Sequence, residues 1–405
     1  MKITLSVIKA DVGSIGGHTK PSAAMLEVVR ERVGTAIAGG LLIDGVAVHT
    51  GDDIAIIMTH RHGVGGAPVH RFAWSTFAIA ASVASDAGLC AAGQDLLTDA
   101  PSGNVRGAGP AVAEIEFYRD PANKDRPAEA FLVFAADKCG PGAYSYPLYT
   151  AFCDPMHNGS LLLNPRMRRG FAITVVDMEH AGRGDRLIRL DVPERIWDLA
   201  CLLQNPDRFA IEAISSRYRP EEQIAAVSTS RLHNIAGRST GMDDPVAIVR
   251  TEGIFPAPEE VIEPYALGHF VTGGCGGSRV MPMMPVAINT AVTGLFCLPL
   301  VSCLGFSMDG DGCFAREHVD VFANVAWDQT RLKIQAKADE WRRQGFIGPT
   351  MASQAELSHT GSLQTLASLE RDFELCHDHG AGAPDLDPPD VDPVAHAPGM
   401  RASNS

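Results

Sequence analysis

The sequence predicts one large α/β (α+β) domain, and three observations point to it. Strand-like and helix-like stretches alternate along most of the 405 residues, no internal repeat or clear linker divides them, and a 45% hydrophobic, 20% charged composition is that of a globular chain with a substantial core. Residues 3–9 alternate with period two, 23–37 suit a helix, and 41–48 and 54–59 read as strands around a Gly51-Asp52-Asp53 turn. Residues 69–89 carry helical spacing. Strands are expected at 111–117, 130–136, 170–176, 186–190, 209–216 and 223–230, and helices at 193–203, 328–343 and 363–376. Between 255 and 312, Gly, Pro, Met and Cys blur the periodicity and give no firm elements. From 377 to 405 the chain is Pro, Asp, Ala and Gly with almost no large apolar side chain, the composition of a disordered tail. The domain is therefore expected to occupy residues 1–376.

A net charge of −14 argues against a nucleic-acid surface, which needs clustered Lys and Arg to displace counterions. The longest apolar runs, such as 77–83, fall short of a membrane span, and residues 1–5 alternate like a strand rather than a secretory signal, so a cytoplasmic protein is expected. Nine cysteines without a Cys-x-x-Cys spacing suggest neither a disulfide framework nor a zinc site.

The placement of the acids carries the chemistry. Asp11 follows the first strand, Asp52 and Asp53 lie between the next two, Asp137 ends a later one, and Asp243-Asp244 precedes another apolar run. An isolated Asp-Asp pair reads first as a solvated turn. Several such acids at separate strand ends are what Mg²⁺ needs, since it takes carboxylates, water and substrate phosphate rather than nitrogen or sulfur. His18 sits in Gly16-Gly17-His18, where small neighbours allow a ligand to approach.

Together these residues form an ordered set: Val7-Ile8-Lys9-Ala10-Asp11-Val12-Gly13-Ser14, His18, Gly51-Asp52-Asp53, Ala91-Ala92-Gly93-Gln94-Asp95-Leu96-Leu97, Ser102-Gly103-Asn104-Val105-Arg106-Gly107, Ala136-Asp137-Lys138 and Asp243-Asp244-Pro245-Val246. The set resembles the fructose-1,6-bisphosphate aldolase/phosphatase family of archaea and some bacteria, in order from Met1 to about Phe373. The resemblance implies a single-domain four-layer α-β-β-α sandwich, a homo-oligomer, commonly an octamer, and a sugar-phosphate substrate. It also implies a site for several Mg²⁺ ions, liganded by Asp11, His18, Asp52, Asp53, Gln94, Asp137, Asp243 and Asp244. By the same resemblance Asp11 is the base for water, Lys138 and Gly103-Asn104 contact phosphate or sugar oxygens, and His18, Cys90 and His359 line the substrate pocket.

The sequence departs from that family on one side only. Its imine-forming lysine and proton-transferring tyrosine correspond to Met242 and Ser239 here. A thioether forms no imine and a serine hydroxyl is a far weaker acid than a phenol. Cys90 replaces a family tyrosine, Gly276 a phosphate-binding arginine, Phe296 an aspartate and His359 a further tyrosine, while every metal ligand is kept. The expectation is a Mg²⁺-dependent sugar-phosphate phosphatase without aldolase activity, acting on something other than fructose 1,6-bisphosphate. Two alternatives stand beside it: an aldolase or isomerase with a relocated acid/base set, for which Lys138 is the candidate among seven lysines, and a non-catalytic sugar-phosphate-binding protein.

Overall fold

The computed structural model describes residues 2–96, 110–118, 129–157, 164–165, 167–178, 186–206, 208–228, 244–253, 255–273, 279–292, 298–343 and 362–375. The chain opens with β1 (Lys2–Ala10), α1 (Ala23–Ala38), β2 (Asp44–Thr50), β3 (Asp53–His60), α2 (Ala67–Asp86), β4 (Ala111–Tyr118), β5 (Glu129–Asp137) and α3 (Ser145–Phe152). It continues through β6 (Phe171–Asp177), β7 (Arg186–Val192), α4 (Ile196–Leu203), β8 (Phe209–Ser216), β9 (Gln223–Val227), β10 (Val246–Thr251) and α5 (Pro258–Ile262). The last part holds β11 (Phe270–Gly273), β12 (Arg279–Pro282), β13 (Met284–Pro285), β14 (Leu300–Met308), β15 (Val319–Asp320), α6 (Asp328–Arg343), α7 (Ser362–Leu369) and β16 (Glu374–Leu375).

Two principal sheets organise these elements. The smaller is antiparallel in the order β2-β3-β1-β4. The larger runs β13-β14-β5-β10-β9-β8-β6-β7-β16, with β15 beside β14. Side-chain parity explains how they stack. On β1, Ile3, Leu5 and Val7 enter a core shared with Phe131, Val133 and Ala135 of β5 and Val246 and Ile248 of β10. Ile8 and Ala10 face the other way, onto Met25, Val29 and Val33 of α1 and Phe77 and Ala80 of α2. The second face of β5, Leu132, Phe134 and Ala136, packs with Leu148 and Phe152 of α3, Leu199 and Leu202 of α4 and Val261 of α5. Burial on both faces makes β5 a continuous apolar run rather than an alternating one. The capping of α1 is equally local: Ser22 Oγ accepts from Met25 N at 3.2 Å.

Two of the differences from the sequence reading have physical reasons. The longest element missed is β14, a nine-residue strand paired with β5 along its whole length; its Val-Ser-Cys-Leu-Gly run has no clean period because both faces are enclosed. The helix expected over 363–376 ends at Leu369, and Glu374–Leu375 pairs instead with Leu187 and Arg186 of β7. There Arg186 and Arg208 tie Glu370 to Asp177 across the sheet edge, a tertiary demand that overrides helical propensity. The strand expected at 41–48 is shifted to 44–50. Residues 377–405 lie outside the described residues. Among the described residues, no helix is long and apolar enough to cross a membrane.

Candidate active site

Strand ends from both sheets converge here. Within the small sheet, Ala10 pairs with Ile54, so Asp11 emerges beside Asp53. Within the large sheet, Val246 pairs with Ala135, so Asp244 emerges beside Asp137. Stacking of the two sheets brings the pairs together. Asp52 and Asp53 are 0% and 2% exposed, which corrects the reading of an isolated Asp-Asp pair as a solvated turn. The turn that carries them is held from behind, since Gly51 N donates to Thr290 O at 2.8 Å and His49 N donates to Asn289 Oδ1 at 3.0 Å.

Asp52 is the hub. Its Oδ1 accepts from Lys138 Nζ at 2.6 Å and its Oδ2 meets His18 Nδ1 at 3.2 Å. Lys138 also donates to Asp137 Oδ1 at 2.9 Å, and His18 Nδ1 lies 3.5 Å from Asp11 Oδ2. Lys9, 2% exposed, is paired with Asp53. Asp244 exchanges two bonds with Cys139, accepting from Cys139 N at 2.6 Å and donating its own N–H to Cys139 O at 2.8 Å. Asp95 Oδ2 accepts from Asp11 N at 2.7 Å, and Asp95 N donates to Asp11 O at 3.0 Å. Left-handed backbone at His18, Lys138 and Asp244, with φ of 52°, 60° and 51°, concentrates strain at this one place, as functional sites do.

Six carboxyl groups, from Asp11, Asp52, Asp53, Asp95, Asp137 and Asp244, thus face the two ammonium groups of Lys9 and Lys138 and the imidazole of His18. The imbalance shows in the protonation. Hydrogen bonds to Asp11 and then Asp52 raise His18 to about 10, holding it cationic. For Asp52, burial would raise the carboxyl, but His18 and Lys138 overcome it and keep Asp52 ionised. Elsewhere burial wins: it pushes Asp53 up against the opposing pull of Lys9, and pushes Asp137, Asp244 and Asp95 up as well. Carboxyls in this condition take up protons when no metal neutralises them.

The donor set fits divalent metal. Ligand atoms of Asp11, His18 and Asp52 lie within 4.8 Å of one another, as do those of Asp52, Asp53 and Asp137, so Asp52 belongs to two adjacent clusters. Asp137 Oδ2 is buried without a hydrogen-bond partner among the described residues, a costly state for a carboxylate oxygen unless a cation meets it. Oxygen-rich, carboxylate-dominated clusters suit hard ions such as Mg²⁺.

Of the residues expected from the sequence, Asp11, His18, Asp52, Asp53, Asp137, Lys138 and Asp244 are together. Cys90 and Gln94 lie on the adjoining segment: Cys90 is exposed and bonds through its backbone to Ser14, with Ser14 N donating to Cys90 O at 2.9 Å, and Gln94 occupies a short 3-10 turn next to Asp95. Gly103, Asn104, Asp243 and His359 lie outside the described residues, as do Ser239, Met242, Gly276 and Phe296. Two members were missed, Lys9 and Asp95. The signal for Lys9 was available: positions 3, 5, 7 and 9 share one face of β1, and a lysine continuing an otherwise apolar inward series requires a buried partner.

Comparison with known proteins agrees with this geometry. The profile of the family described as "Fructose-1,6-bisphosphatase" matches residues 2–374. A fructose-1,6-bisphosphate aldolase/phosphatase of Thermus thermophilus is 50% identical over 377 residues, covering 92% of this chain and 100% of the relative. Proteins of the same name from Cenarchaeum symbiosum and Ignicoccus hospitalis are 42% and 40% identical, covering 89% and 93% of this chain and 91% and 94% of their own lengths. With similarity running through every strand that delivers a site residue, the chain belongs to the fructose-1,6-bisphosphate aldolase/phosphatase family of enzymes.

Proposed function

We infer that the protein is a Mg²⁺-dependent sugar-phosphate phosphatase that has lost the aldolase half of its family's chemistry, with a substrate other than fructose 1,6-bisphosphate. The observation that carries the metal-dependent half is the convergence of Asp11, Asp52, Asp53, Asp137 and Asp244 around a buried carboxylate oxygen, Asp137 Oδ2, that has no partner among the described residues. The loss of the aldolase half rests on Met242 and Ser239 in the sequence, and the altered substrate on Cys90, Gly276, Phe296 and His359.

In this reading Asp11, His18, Asp52, Asp53, Gln94, Asp137, Asp243 and Asp244 hold the ions. Bound Mg²⁺ would supply Lewis-acid stabilisation of the phosphate and a more acidic water. Asp11 takes the proton of the attacking water. Asp95, by gripping the Asp11 backbone on both its N–H and C=O, fixes where that carboxylate stands. Lys138, held by Asp52 and Asp137 in this state, exchanges one of these partners for a phosphate oxygen when substrate enters. Gly103 and Asn104 complete the phosphate contacts, and Cys90 and His359 border the sugar. Both Lys9 and Lys138 are engaged by carboxylates and held firmly protonated by them, although burial alone would lower them. A protonated amine does not attack a carbonyl, which disfavours a relocated imine. The reading includes the homo-oligomeric assembly of the family, which light scattering would measure.

The test is phosphate release from a panel of sugar monophosphates and bisphosphates with Mg²⁺. A monophosphate or an unfamiliar bisphosphate is expected to exceed fructose 1,6-bisphosphate in kcat/KM. Preference for fructose 1,6-bisphosphate would overturn the substrate reading, and no hydrolysis of any member would overturn the enzyme reading.

A further inference from the structure

The turn that carries Asp52 and Asp53 is clamped from outside its own sheet. β2 is the outer strand of the small sheet, so main-chain groups on its open side need partners from elsewhere. At His49 one residue supplies both partners: Asn289 N donates to His49 O at 2.7 Å, and His49 N donates to Asn289 Oδ1 at 3.0 Å. The His49 ring extends the clamp, since its Nδ1 donates to Gly51 O at 2.8 Å, the carbonyl just before Asp52.

The segment that bears Asn289 is anchored behind and reaches forward. Val286 N donates to Val301 O of β14 at 2.8 Å, and Ile288 N donates to Asp320 Oδ2 of β15 at 2.9 Å. Leu300, beside Val301, is the strand partner of Asp137, so the rear of the segment is tied close to that ligand. Ahead, Thr290 O accepts from Gly51 N at 2.8 Å, and Val292 N donates at 2.9 Å to the carbonyl of Thr19, next to His18. A Cβ on Gly51 would stand 3.0 Å from Val292 Cγ2, so the turn rests on the segment without clearance. Residues 286–292 thus join the Asp137 side of the large sheet to the two small-sheet loops that deliver Asp52, Asp53 and His18.

The residue type at 289 follows from two demands. Its φ is 61°, a left-handed backbone that Gly, Asn and Asp adopt most readily. Of these only Asn and Asp also offer a side-chain oxygen for the His49 N–H. Asn289 is exposed, so burial of its side chain is not what the position requires.

We propose that Asn289 is a positioning residue for the metal site: its clamp on His49 sets where Asp52 and Asp53 stand relative to Asp137, and thereby sets divalent-ion affinity. This rests on the metal-binding half of the proposed function and is independent of the substrate's identity.

Calorimetric titration of the full chain with Mg²⁺ is the test. Asn289→Gly keeps the left-handed backbone and the N–H of residue 289 and removes only the oxygen. It should fold and bind Mg²⁺ about 10-fold more weakly, the lower end for losing a group that orients a metal ligand. Asn289→Asp puts an oxygen back and should bind Mg²⁺ as the parent does. Asn324→Gly removes a comparable exposed acceptor, the one that meets Ala326 N at 2.9 Å, outside the segment, and should leave Mg²⁺ affinity unchanged. In phosphate release the half-saturating Mg²⁺ concentration should rise for Asn289→Gly while turnover at saturating Mg²⁺ returns toward the parent's, a split that a general loss of stability would not produce. Parental Mg²⁺ affinity in Asn289→Gly, equal weakening in Asn289→Asp or Asn324→Gly, or an Asn289→Gly protein that does not fold would overturn this inference alone. A parent that binds no Mg²⁺ would overturn the metal reading and this inference with it.

Discussion

Gly51 and Asp137 compete for the same space: a Cβ on Gly51 would stand 1.5 Å from Asp137 Oδ2. Gly51 also has a φ of 56°, in the left-handed region. The β2–β3 turn therefore approaches β5 closely enough to bring Asp52 and Asp53 against Asp137 only because position 51 has no side chain. Gly51→Ala should push the two sheets' acids apart, raise the Mg²⁺ concentration needed for half-maximal activity and lower kcat/KM about 10²-fold, the scale for a misplacement of about 1 Å. Parental Mg²⁺ dependence in this variant would remove Asp137 from the metal site.

Lys9 supplies a charge that no exchangeable ion replaces. At pH 9, Lys9→Met removes the cation that pulls Asp53 down against burial, so the variant must either keep that buried acid protonated or hold an unpaired carboxylate, at a cost to folding in both cases. Urea unfolding of the metal-free variant at that pH should show a loss of about 3–5 kcal/mol. Lys9→Met combined with Asp53→Asn should recover much of it. A single variant as stable as the parent would mean that Asp53 does not depend on Lys9.

Metal-free protein should lose stability as pH rises from 6.5 to 8. Burial raises Asp53 from 3.8 to about 8, and Asp11 and Asp52 raise His18 from 6.5 to about 10. Both groups then hold more protons folded than unfolded across this window, so stability falls with pH. The stabilisation from a raised His18 is complete below 6.5 and gone above about 10. The buried His60 and His269, both lowered to about 4 by burial, act in the opposite sense but only below 6.5. Melting temperatures in EDTA should decline from pH 6.5 to 8, Mg²⁺ should flatten the trend, and Mg²⁺ binding should release protons to the buffer. A melting temperature that climbs with pH in EDTA would contradict this protonation scheme.

Aldol condensation of glyceraldehyde 3-phosphate with dihydroxyacetone phosphate should be absent. Met242→Lys alone should restore little, because residues acting as a unit are not additive; Ser239→Tyr with Met242→Lys is the fair reconstruction. The readouts are bisphosphate formation and borohydride-trapped imine located by mass spectrometry. A trapped adduct on Lys138 or Lys9 in the unaltered protein would show a relocated imine.

Much of this was legible in the sequence, and for identifiable reasons. Strands β1, β3 and β5 are short apolar runs with Asp at one end, and those ends gave Asp11, Asp52, Asp53 and Asp137 directly. What sequence could not show was burial: Asp52 and Asp53 have the local chemistry of a turn, and only stacking of β5 against that turn encloses them. Lys9 was overlooked because a lysine is ordinarily exposed, although its parity on β1 pointed inward. Strand β14 was hidden because enclosure on both faces erases the period, and β16 because a pairing with β7 interrupted a helical pattern.

If clustered carboxylates hold divalent metal to hydrolyse a sugar phosphate with Asp11 as the base, removing either the metal or that base must remove turnover. One assay addresses it most directly: inorganic phosphate release by the parent and Asp11→Asn proteins on the preferred sugar phosphate, after EDTA and dialysis, then with Mg²⁺ restored. The parent should be inactive without metal and regain full turnover with Mg²⁺, while Asp11→Asn, folded and melting like the parent, should remain slower by about 10²-fold or more at saturating Mg²⁺. Full turnover by the metal-free parent, or parental rates from Asp11→Asn, would contradict the account.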